Sequence, residues 1–320
     1  MLNAYVPTAR GLERTAVADT LPPGALWLDL LEPSAAEEQL VESALRIQVP
    51  TRDEMRAIET SNRLYEDAGA LYLTATVLYR AEAEHPQTTQ VTFILTGNHL
   101  VTSRYADLRS FQDFVSYATT HPSACTGALQ TLLGLLNAIV NRLADGLERV
   151  GADIDSLSLQ IFPRHGATRG RGYQHELQQI GGGGDVVSRA RESLVSLARL
   201  LAFLQESGEA RITPEARASL RTVTRDVAAL SDHATFLVGK AQFLLDATLG
   251  LVTIEQNNIL KIFSMVAVLL LPPSVIVGFF GMNFANMPWL HRPWGIWAAM
   301  GLMLVTSLAP YVYFRRKGWL

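Results

Sequence analysis

The tripeptide Gly281-Met282-Asn283 stands at the end of an uncharged apolar run. Its backbone carbonyls and the Asn283 carboxamide supply uncharged oxygens that accept hydrogen bonds. Such oxygens can bind the water shell of a cation without holding the ion too strongly to release it. The tripeptide therefore predicts the mouth of an ion pore.

A series of small and polar residues leads up to this tripeptide at steps of three and four. Residues with that spacing share one face of a helix. Such a face could line a water-filled axis, but small residues also let membrane helices pack closely with no pore. Two leucines in the series favour a pore, because apolar rings can gate a channel by dewetting. The series is Asp246, Gly250, Thr253, Asn257, Leu260, Ser264, Ala267, Leu271, Ser274, Gly278 and Gly281.

A divalent cation that loses its waters reluctantly fits this chemistry, because a filter which need not strip those waters offers it a low barrier. The run from 262 to 282 contains no acidic residue. A membrane potential supplies ~2.3 kcal/mol per charge per 100 mV, and about twice that for a dication. Passive uptake therefore needs no nucleotide hydrolysis, and the sequence shows no motif for it.

Two uncharged apolar runs, 262–282 and 294–314, are each 21 residues long. At ~1.5 Å per residue each can cross the ~30 Å hydrocarbon core as a helix. The external loop, 283–293, is too short for anything but a hairpin, so both termini lie on one side. Basic residues in the tail, 315–320, and Lys261 predict that this side is the cytoplasm. The first ten residues do not resemble a signal peptide.

Composition excludes several other classes of function. The net charge of −3 and the absence of a dense Lys/Arg block argue against nucleic-acid binding. The single cysteine, Cys125, excludes an internal disulfide and is expected to be a small buried side chain. The seven histidines show no metal-ligand spacing with one another or with Cys125, and no grouping typical of a hydrolase is visible. We therefore expect a protein that is not an enzyme and has no cofactor.

Residues 1–205 predict a cytoplasmic α/β and helical domain. Strands are expected at 25–30, 71–79, 90–95 and 99–103. One helix is expected at 33–45, with Pro33, Ser34 and the following glutamates as its start signals, and another begins at Thr51. From Leu108 onward the pattern is helical, with a long amphipathic segment at 127–162. The segments 164–172 and Gly181 to Gly184 are expected to be breaks, the latter a flexible connector into a helix at 186–205, because no lysine of a phosphate-binding loop follows it.

A long stalk helix is predicted from the capping sequence Thr213-Pro214-Glu215, within a stalk segment at 206–261. Continued into the first apolar run, it spans about 68 residues, or roughly 100 Å. Apolar residues recur along it at coiled-coil spacing, which predicts partner helices from other chains, since the helix at 186–205 is much shorter. They are Leu220, Val223, Val227, Leu230, Ala234, Leu237, Ala241 and Leu244.

These residues resemble the CorA family of divalent-cation transporters. Gly281-Met-Asn-Phe284 with Met287-Pro288 is similar to the family signature, and 256–264 with Leu271-Pro-Pro273 is similar to its first membrane helix. The ending 310–320, and in the soluble part 27–30 and 58–65, are also similar to CorA proteins. The resemblance covers essentially the whole chain.

The resemblance implies an α+β membrane protein with the CorA-like funnel: an N-terminal cytoplasmic α/β domain, a stalk helix continuing into a pore-lining span, and a peripheral second span. It implies a homopentamer in the inner membrane that takes up Mg²⁺, with Co²⁺ or Ni²⁺ as surrogate ions, through a filter at Gly281, Met282 and Asn283. Carried over by position, the pore residues are Asp246, Asn257, Leu260, Leu271, Ser274 and Gly278. The family favours Phe263 over Ser264 at one level of the pore.

One departure from the family pattern keeps a second ion open. Many CorA loops carry an acidic residue after Met-Pro, where this chain has Trp289, and the loop 283–293 contains His291 and Arg292 but no carboxylate. Zinc-transporting relatives also tend to lack acidic loops, so Zn²⁺ remains an alternative substrate. A membrane-anchored scaffold or receptor is an alternative of another class, although an anchor has no use for polar residues along one face of a span.

Overall fold

The computed structural model describes residues 1–17, 20–57, 59–81, 86–162, 173–207, 213–282 and 292–318. The strands are β1 (Leu2–Thr8), β2 (Gly11–Thr15), β3 (Trp27–Leu31), β4 (Leu64–Asp67), β5 (Ala70–Tyr79), β6 (Gln87–Thr96) and β7 (His99–Arg104). The helices are α1 (Ala35–Leu45), α2 (Arg52–Met55), α3 (Arg109–Thr120), α4 (Ala128–Ile161), α5 (Gln174–Ser207), α6 (Pro214–Phe280) and α7 (Gly295–Arg316). The chain divides into two compact units, Met1–Leu245 and Asp246–Leu320.

The first unit is built on a seven-stranded sheet with the order β2-β1-β3-β7-β6-β5-β4. The pair β3 and β7 is parallel, with Trp27 opposite Leu100, and the other neighbours are antiparallel. The predicted strands of this sheet are confirmed, and β1, β2 and β4 were not predicted. The long hairpin of β5 and β6 pairs Leu71 with Leu95 at one end and Tyr79 with Gln87 at the other.

Helices cover both faces of the sheet because residues alternate sides along each strand. Leu28 and Leu30 of β3 belong to a buried cluster with Val41 of α1. Trp27, on the other face of the same strand, lies 6.0 Å from the Phe111 ring and 5.8 Å from the Phe114 ring of α3. The helix α5 packs beside β5 and against α4. The predicted buried state of Cys125 is also confirmed, and burial raises the pKa of its thiol.

A buried ion pair crosses the central parallel strands. Arg104 donates from Nε and Nη2 to the two carboxylate oxygens of Asp29, at 3.0 and 2.8 Å, and both side chains are at most 5% exposed. Thr102 donates to Asp29 at 2.7 Å and accepts from the Trp27 indole at 3.0 Å. Burial lowers the pKa of Arg104, but Asp29 and Asp107 outweigh it and the net shift is upward.

The helix α1 begins with the predicted capping residues. Ser34 accepts from the Glu37 N–H, and Glu37 accepts in return from the Ser34 N–H, which is a capping box. Glu37 also accepts from the Leu2 N–H at 2.7 Å and from the N-terminal ammonium at 2.9 Å. Although burial opposes the shift, these hydrogen bonds lower the pKa of Glu37 to about 2.

The prediction of a flexible connector at Gly181 to Gly184 is wrong. All four glycines lie inside α5, which is 34 residues long. Each glycine costs a helix ~1 kcal/mol relative to alanine, so tertiary packing has to compensate. Ile180 and Val187 flank the run, stand seven residues apart on one face of the helix and are both buried. The other expected break, 164–172, lies outside the described residues.

The prediction that the apolar series of the stalk needs helices from other chains is also wrong. Seven of its eight members are buried within this single chain, and Leu230 is half-buried. The 34-residue helix α4 contributes to this cover near the middle of the series. A Cβ on Gly151 of α4 would lie 3.6 Å from Leu237, and Lys240 forms an ion pair with Asp155. The heptad spacing therefore reports an intramolecular contact.

The second unit contains the end of α6 and the helix α7. The long helix predicted from Thr213 is confirmed, since α6 runs over 67 residues from Pro214 to Phe280. Both helices are long and apolar enough to cross a membrane, and only 6% of the most apolar window of each is buried. Side chains this exposed and apolar need lipid or neighbouring chains to cover them.

Candidate functional site

Each member of the predicted pore series is exposed on α6. The exposed residues are Asp246, Gly250, Thr253, Asn257, Leu260, Ser264, Ala267, Leu271, Ser274, Gly278 and Gly281, which we call the stripe. Phe263 is 69% exposed and Ser264 is also exposed, so a single chain does not choose between them and the register at that level stays a prediction. The helix therefore brings the predicted residues onto one uncovered face.

The face of α6 that packs against α7 is a different one. Within the second unit, the least exposed residues of the apolar part of α6 recur at positions 265, 269, 272, 276 and 280. The Ser307 hydroxyl of α7 donates to the Leu269 carbonyl at 3.2 Å, which places α7 over this face. At about 100° of rotation per residue, its centre and the centre of the stripe lie roughly 150° apart around the helix. The helix α7 therefore leaves the stripe free.

The hydrogen bond from Ser307 compensates for a break in the backbone ladder of α6. Pro273 has no N–H to give to the carbonyl four residues earlier, which belongs to Leu269. Within a membrane no water is present to satisfy that carbonyl. The Ser307 hydroxyl takes the place of the missing donor. The sequence analysis did not predict this role of Ser307. The pair Pro272-Pro273 was a signal for it, because the carbonyl four residues before each proline loses its helical donor.

The hydroxyl groups on the stripe present acceptors outward. Ser274 donates to the Leu270 carbonyl at 2.7 Å, and Thr253 donates to the Leu249 carbonyl at 3.0 Å. A hydroxyl has one hydrogen and two lone pairs, so these oxygens retain only acceptor capacity for a ligand. The waters around a cation point their hydrogens outward. These two positions therefore suit a hydrated cation better than a hydrated anion.

The predicted filter residues Gly281 and Met282 stand where α6 ends. Gly281 donates to the Val277 carbonyl at 2.9 Å, and Met282 donates to the Phe279 carbonyl at 3.3 Å, so the last turn remains hydrogen-bonded. A Cβ on Gly281 would lie 3.1 Å from the Val277 oxygen, which leaves little space for a side chain. Asn283 and most of the loop 283–293, including Trp289 and His291, lie outside the described residues. The role of Asn283 as a metal-holding residue stays a prediction.

Comparison with known proteins decides the family. A sequence model described as "CorA-like Mg2+ transporter protein" matches residues 23–316. The chain belongs to the CorA family. It is 33% identical to the magnesium transport protein CorA of Escherichia coli K12 over 321 residues, with 100% of both sequences covered. It is 34% identical to the CorA protein of Yersinia pseudotuberculosis over 296 residues, with 92% of both covered.

Solved structures show the CorA fold. The CorA magnesium transporter of Methanocaldococcus jannaschii matches with a TM-score of 0.77 at 20% identity, covering 100% of this chain and 99% of that one. The cytoplasmic domain of ZntB from Vibrio parahaemolyticus matches with a TM-score of 0.59 at 11% identity, covering 77% of this chain and 95% of that one. Family membership and the two long apolar helices together make this CorA protein a membrane protein with two spans.

Proposed function

We propose that this CorA protein is a homopentameric channel for passive Mg²⁺ uptake, in which five copies of α6 surround a water-filled axis. The observation that carries the proposal is the stripe, an exposed row of small and polar residues on the side of α6 away from α7. A polar row facing lipid would be costly, and the row is exposed throughout the described part of the second unit. Copies of the same helix give it an aqueous surrounding.

The number of copies rests on the family resemblance. The apolar series of the stalk does not support it, because that series is buried inside one chain. The relative from Escherichia coli is named as a magnesium transport protein and is similar over its full length. That similarity supports Mg²⁺ as the ion, with Co²⁺ and Ni²⁺ as possible surrogates.

The filter consists of Gly281, Met282 and Asn283 at the outer end of α6. A ring of Gly281 carbonyls and Asn283 carboxamides accepts hydrogen bonds from the first water shell of Mg²⁺, which the ion keeps. Uncharged oxygens bind the dication weakly enough for it to leave. The membrane potential supplies the driving force, at about 4.6 kcal/mol per dication per 100 mV.

The gate consists of the apolar residues of the stripe. Leu260 and Leu271 are each 62% exposed and interrupt an otherwise small or polar row. Rings of leucine can empty a narrow pore of water and so stop a hydrated ion. The polar residues Asn257, Ser264 and Ser274, which lie before, between and after the two leucines, keep the rest of the path wet. Asp246 adds an acidic ring that concentrates cations.

The orientation follows from charge. Arg315, Arg316 and Lys317 follow the second span and Lys261 precedes the first, so both termini lie in the cytoplasm and the loop 283–293 faces outward. The membrane is the bacterial-type inner membrane. The first unit then meets cytoplasmic Mg²⁺, whereas the filter meets external Mg²⁺.

Two adjacent asparagines provide a matched test. Asn257 lies on the stripe, whereas Asn258 is exposed on α6 about 100° away. The full-length protein in liposomes loaded with a Mg²⁺-sensitive dye should lose most of its influx with Asn257→Leu and keep it with Asn258→Leu. Asn283→Ala should likewise fail to restore growth of a transport-deficient cell at low Mg²⁺. Full influx in Asn257→Leu, or full rescue by Asn283→Ala, would exclude the pore and the filter respectively.

The loop composition favours Zn²⁺ as a second candidate ion. The loop 283–293 has no carboxylate to attract Mg²⁺ and carries one imidazole, at His291. Imidazole suits Zn²⁺ far better than Mg²⁺. Liposomes assayed with each metal, with and without a proton gradient, separate the two ions. Faster influx of Zn²⁺ than of Mg²⁺ at equal activity would replace Mg²⁺ as the substrate.

A further inference from the structure

A cavity of about 480 Å³ lies in the first unit between α5 and the edge of the sheet. It forms where the short strand β4 begins at Leu64 while its neighbour β5 continues to Tyr79. On that uncovered length of β5, the Thr76 N–H donates to the Ser196 hydroxyl of α5 at 2.9 Å. The volume is within the ~300–1,000 Å³ range typical of small-molecule sites.

Three arginines line this cavity. Arg63 precedes β4 and donates from Nη1 to the Thr76 hydroxyl at 3.2 Å and from Nε to the Ala57 carbonyl, so its guanidinium is held in place. Arg191 and Arg199 are eight residues apart on α5, which places them on one face of the helix. Both are exposed, and Arg63 is partly buried.

The positive charge of the cavity is only partly balanced. Glu192 is the one acidic residue among its lining residues. None of the ion pairs found within the described part of the chain uses Arg63, Arg191 or Arg199. Burial lowers the pKa of Arg63; Glu192 opposes that effect and the charge of Arg199 adds to it. Cations that repel one another around a shared cavity bind an anion favourably.

We infer that this cavity binds a phosphate-type oxyanion, either free phosphate or the phosphate chain of a nucleotide. Guanidinium groups present paired N–H donors whose spacing matches two oxygens of a phosphate. Arg63 is fixed by its two protein contacts, whereas Arg191 and Arg199 approach from the helix on the open side. The cavity is larger than phosphate alone requires, so it also has room for a nucleotide. The site is separate from the stripe and adds a ligand to the proposed channel.

The test is calorimetric titration of the full-length protein in detergent micelles, free of divalent metal, with inorganic phosphate and separately with ADP. Sodium chloride of equal ionic strength is the blank. Arg199→Gln and Arg191→Gln should each weaken binding roughly tenfold, since a hydrogen bond to a charged group contributes that much. Arg189→Gln is the matched control, because Arg189 lies on the same helix, pairs with Asp185 and does not line the cavity.

Both probes distinguish the source of the oxyanion. Tighter binding of ADP than of phosphate identifies a nucleotide, and equal binding identifies free phosphate. No heat above the chloride blank in the unmodified protein would overturn the inference, as would equal affinities in all four proteins. In a further outcome that overturns the inference, the unmodified protein does not bind phosphate and Arg199→Gln forms a smaller oligomer. That result would show that the arginines pair with a neighbouring subunit instead. The titration measures no transport, so its failure leaves the proposed channel intact.

Discussion

Ser307→Ala should destabilise the contact between α6 and α7 through a carbonyl that proline has left without a partner. Pro273 cannot donate to Leu269, and the Ser307 hydroxyl donates to that oxygen at 3.2 Å. A buried carbonyl that loses its only donor costs ~1–3 kcal/mol, and hydrogen bonds between membrane helices contribute ~0.6 kcal/mol on average. We therefore expect a loss of about 1 kcal/mol in the free energy of unfolding.

A double-mutant cycle isolates this contact. In Pro273→Ala, residue 273 regains an N–H that can donate to Leu269, so the Ser307 hydroxyl is no longer needed there. Ser307→Ala should then cost close to nothing in the Pro273→Ala protein, which gives a coupling of about 1 kcal/mol between the two positions. Thr306→Ala is the control, because the Thr306 hydroxyl donates to carbonyls of its own helix, Leu302 and Met303.

The assay is equilibrium unfolding of the full-length protein in mixed detergent micelles, followed by tryptophan fluorescence. Protein concentration is held fixed, since an oligomer's apparent stability depends on it. An equal cost of Ser307→Ala with and without Pro273 would refute the reasoning, because the hydroxyl would then act elsewhere. A cost of Thr306→Ala as large as that of Ser307→Ala would point to helix packing rather than to the carbonyl.

Four further outcomes are expected. Arg104→Met should destabilise the first unit by about 3–5 kcal/mol, since it leaves the Asp29 carboxylate buried and unpaired. Thermal unfolding measures this loss. Adding Asp29→Leu should recover much of it. Gly11→Ala should cost about 1–3 kcal/mol in the same assay, because Gly11 has a φ of +137° and an added Cβ would lie 2.3 Å from the Thr119 carbonyl oxygen. Gly69→Ala is the control and should cost less, since nothing lies within 4 Å of its added Cβ. Glu37→Gln should destabilise at neutral pH, and because the folded-state pKa of Glu37 is depressed, its difference from the unmodified protein should vanish as the pH falls from 4.5 toward about 2. Leu271→Asn should raise resting Mg²⁺ influx into liposomes if a leucine ring closes the pore; unchanged influx would assign the gate elsewhere.

The two spans and the stripe were predictable because few backbone structures can cross a membrane. A run of 21 uncharged residues has few alternatives to a spanning helix, and helical spacing alone places Asn257, Ser264 and Ser274 on one face. The start of α1 was equally accessible, since Ser34 and Glu37 form a capping box over four residues. These features depend on local sequence.

The errors arise where distant segments meet. From the sequence, Gly181 to Gly184 were predicted to form a flexible connector. In the structure they lie in α5, between the buried residues Ile180 and Val187. The apolar series from Leu220 to Leu244 correctly indicated a buried seam, but the prediction that other chains cover it was wrong, because heptad spacing does not say which chain supplies the cover. The arginine-lined cavity depends on Arg63 meeting α5 across more than 120 residues, which no local pattern reports.

The separation of the two faces of α6 has an evolutionary consequence. In the proposed channel, substitutions at Asn257 or Ser274 can alter ion choice without weakening the contact with α7. Changes at Met265 or Ile276 can adapt the hairpin to another bilayer without altering the proposed pore. Selectivity and anchoring can therefore diversify independently along one helix. The prolines Pro272 and Pro273 connect the two traits, because they lie between Leu271 and Ser274 of the stripe and leave a carbonyl that Ser307 of α7 binds.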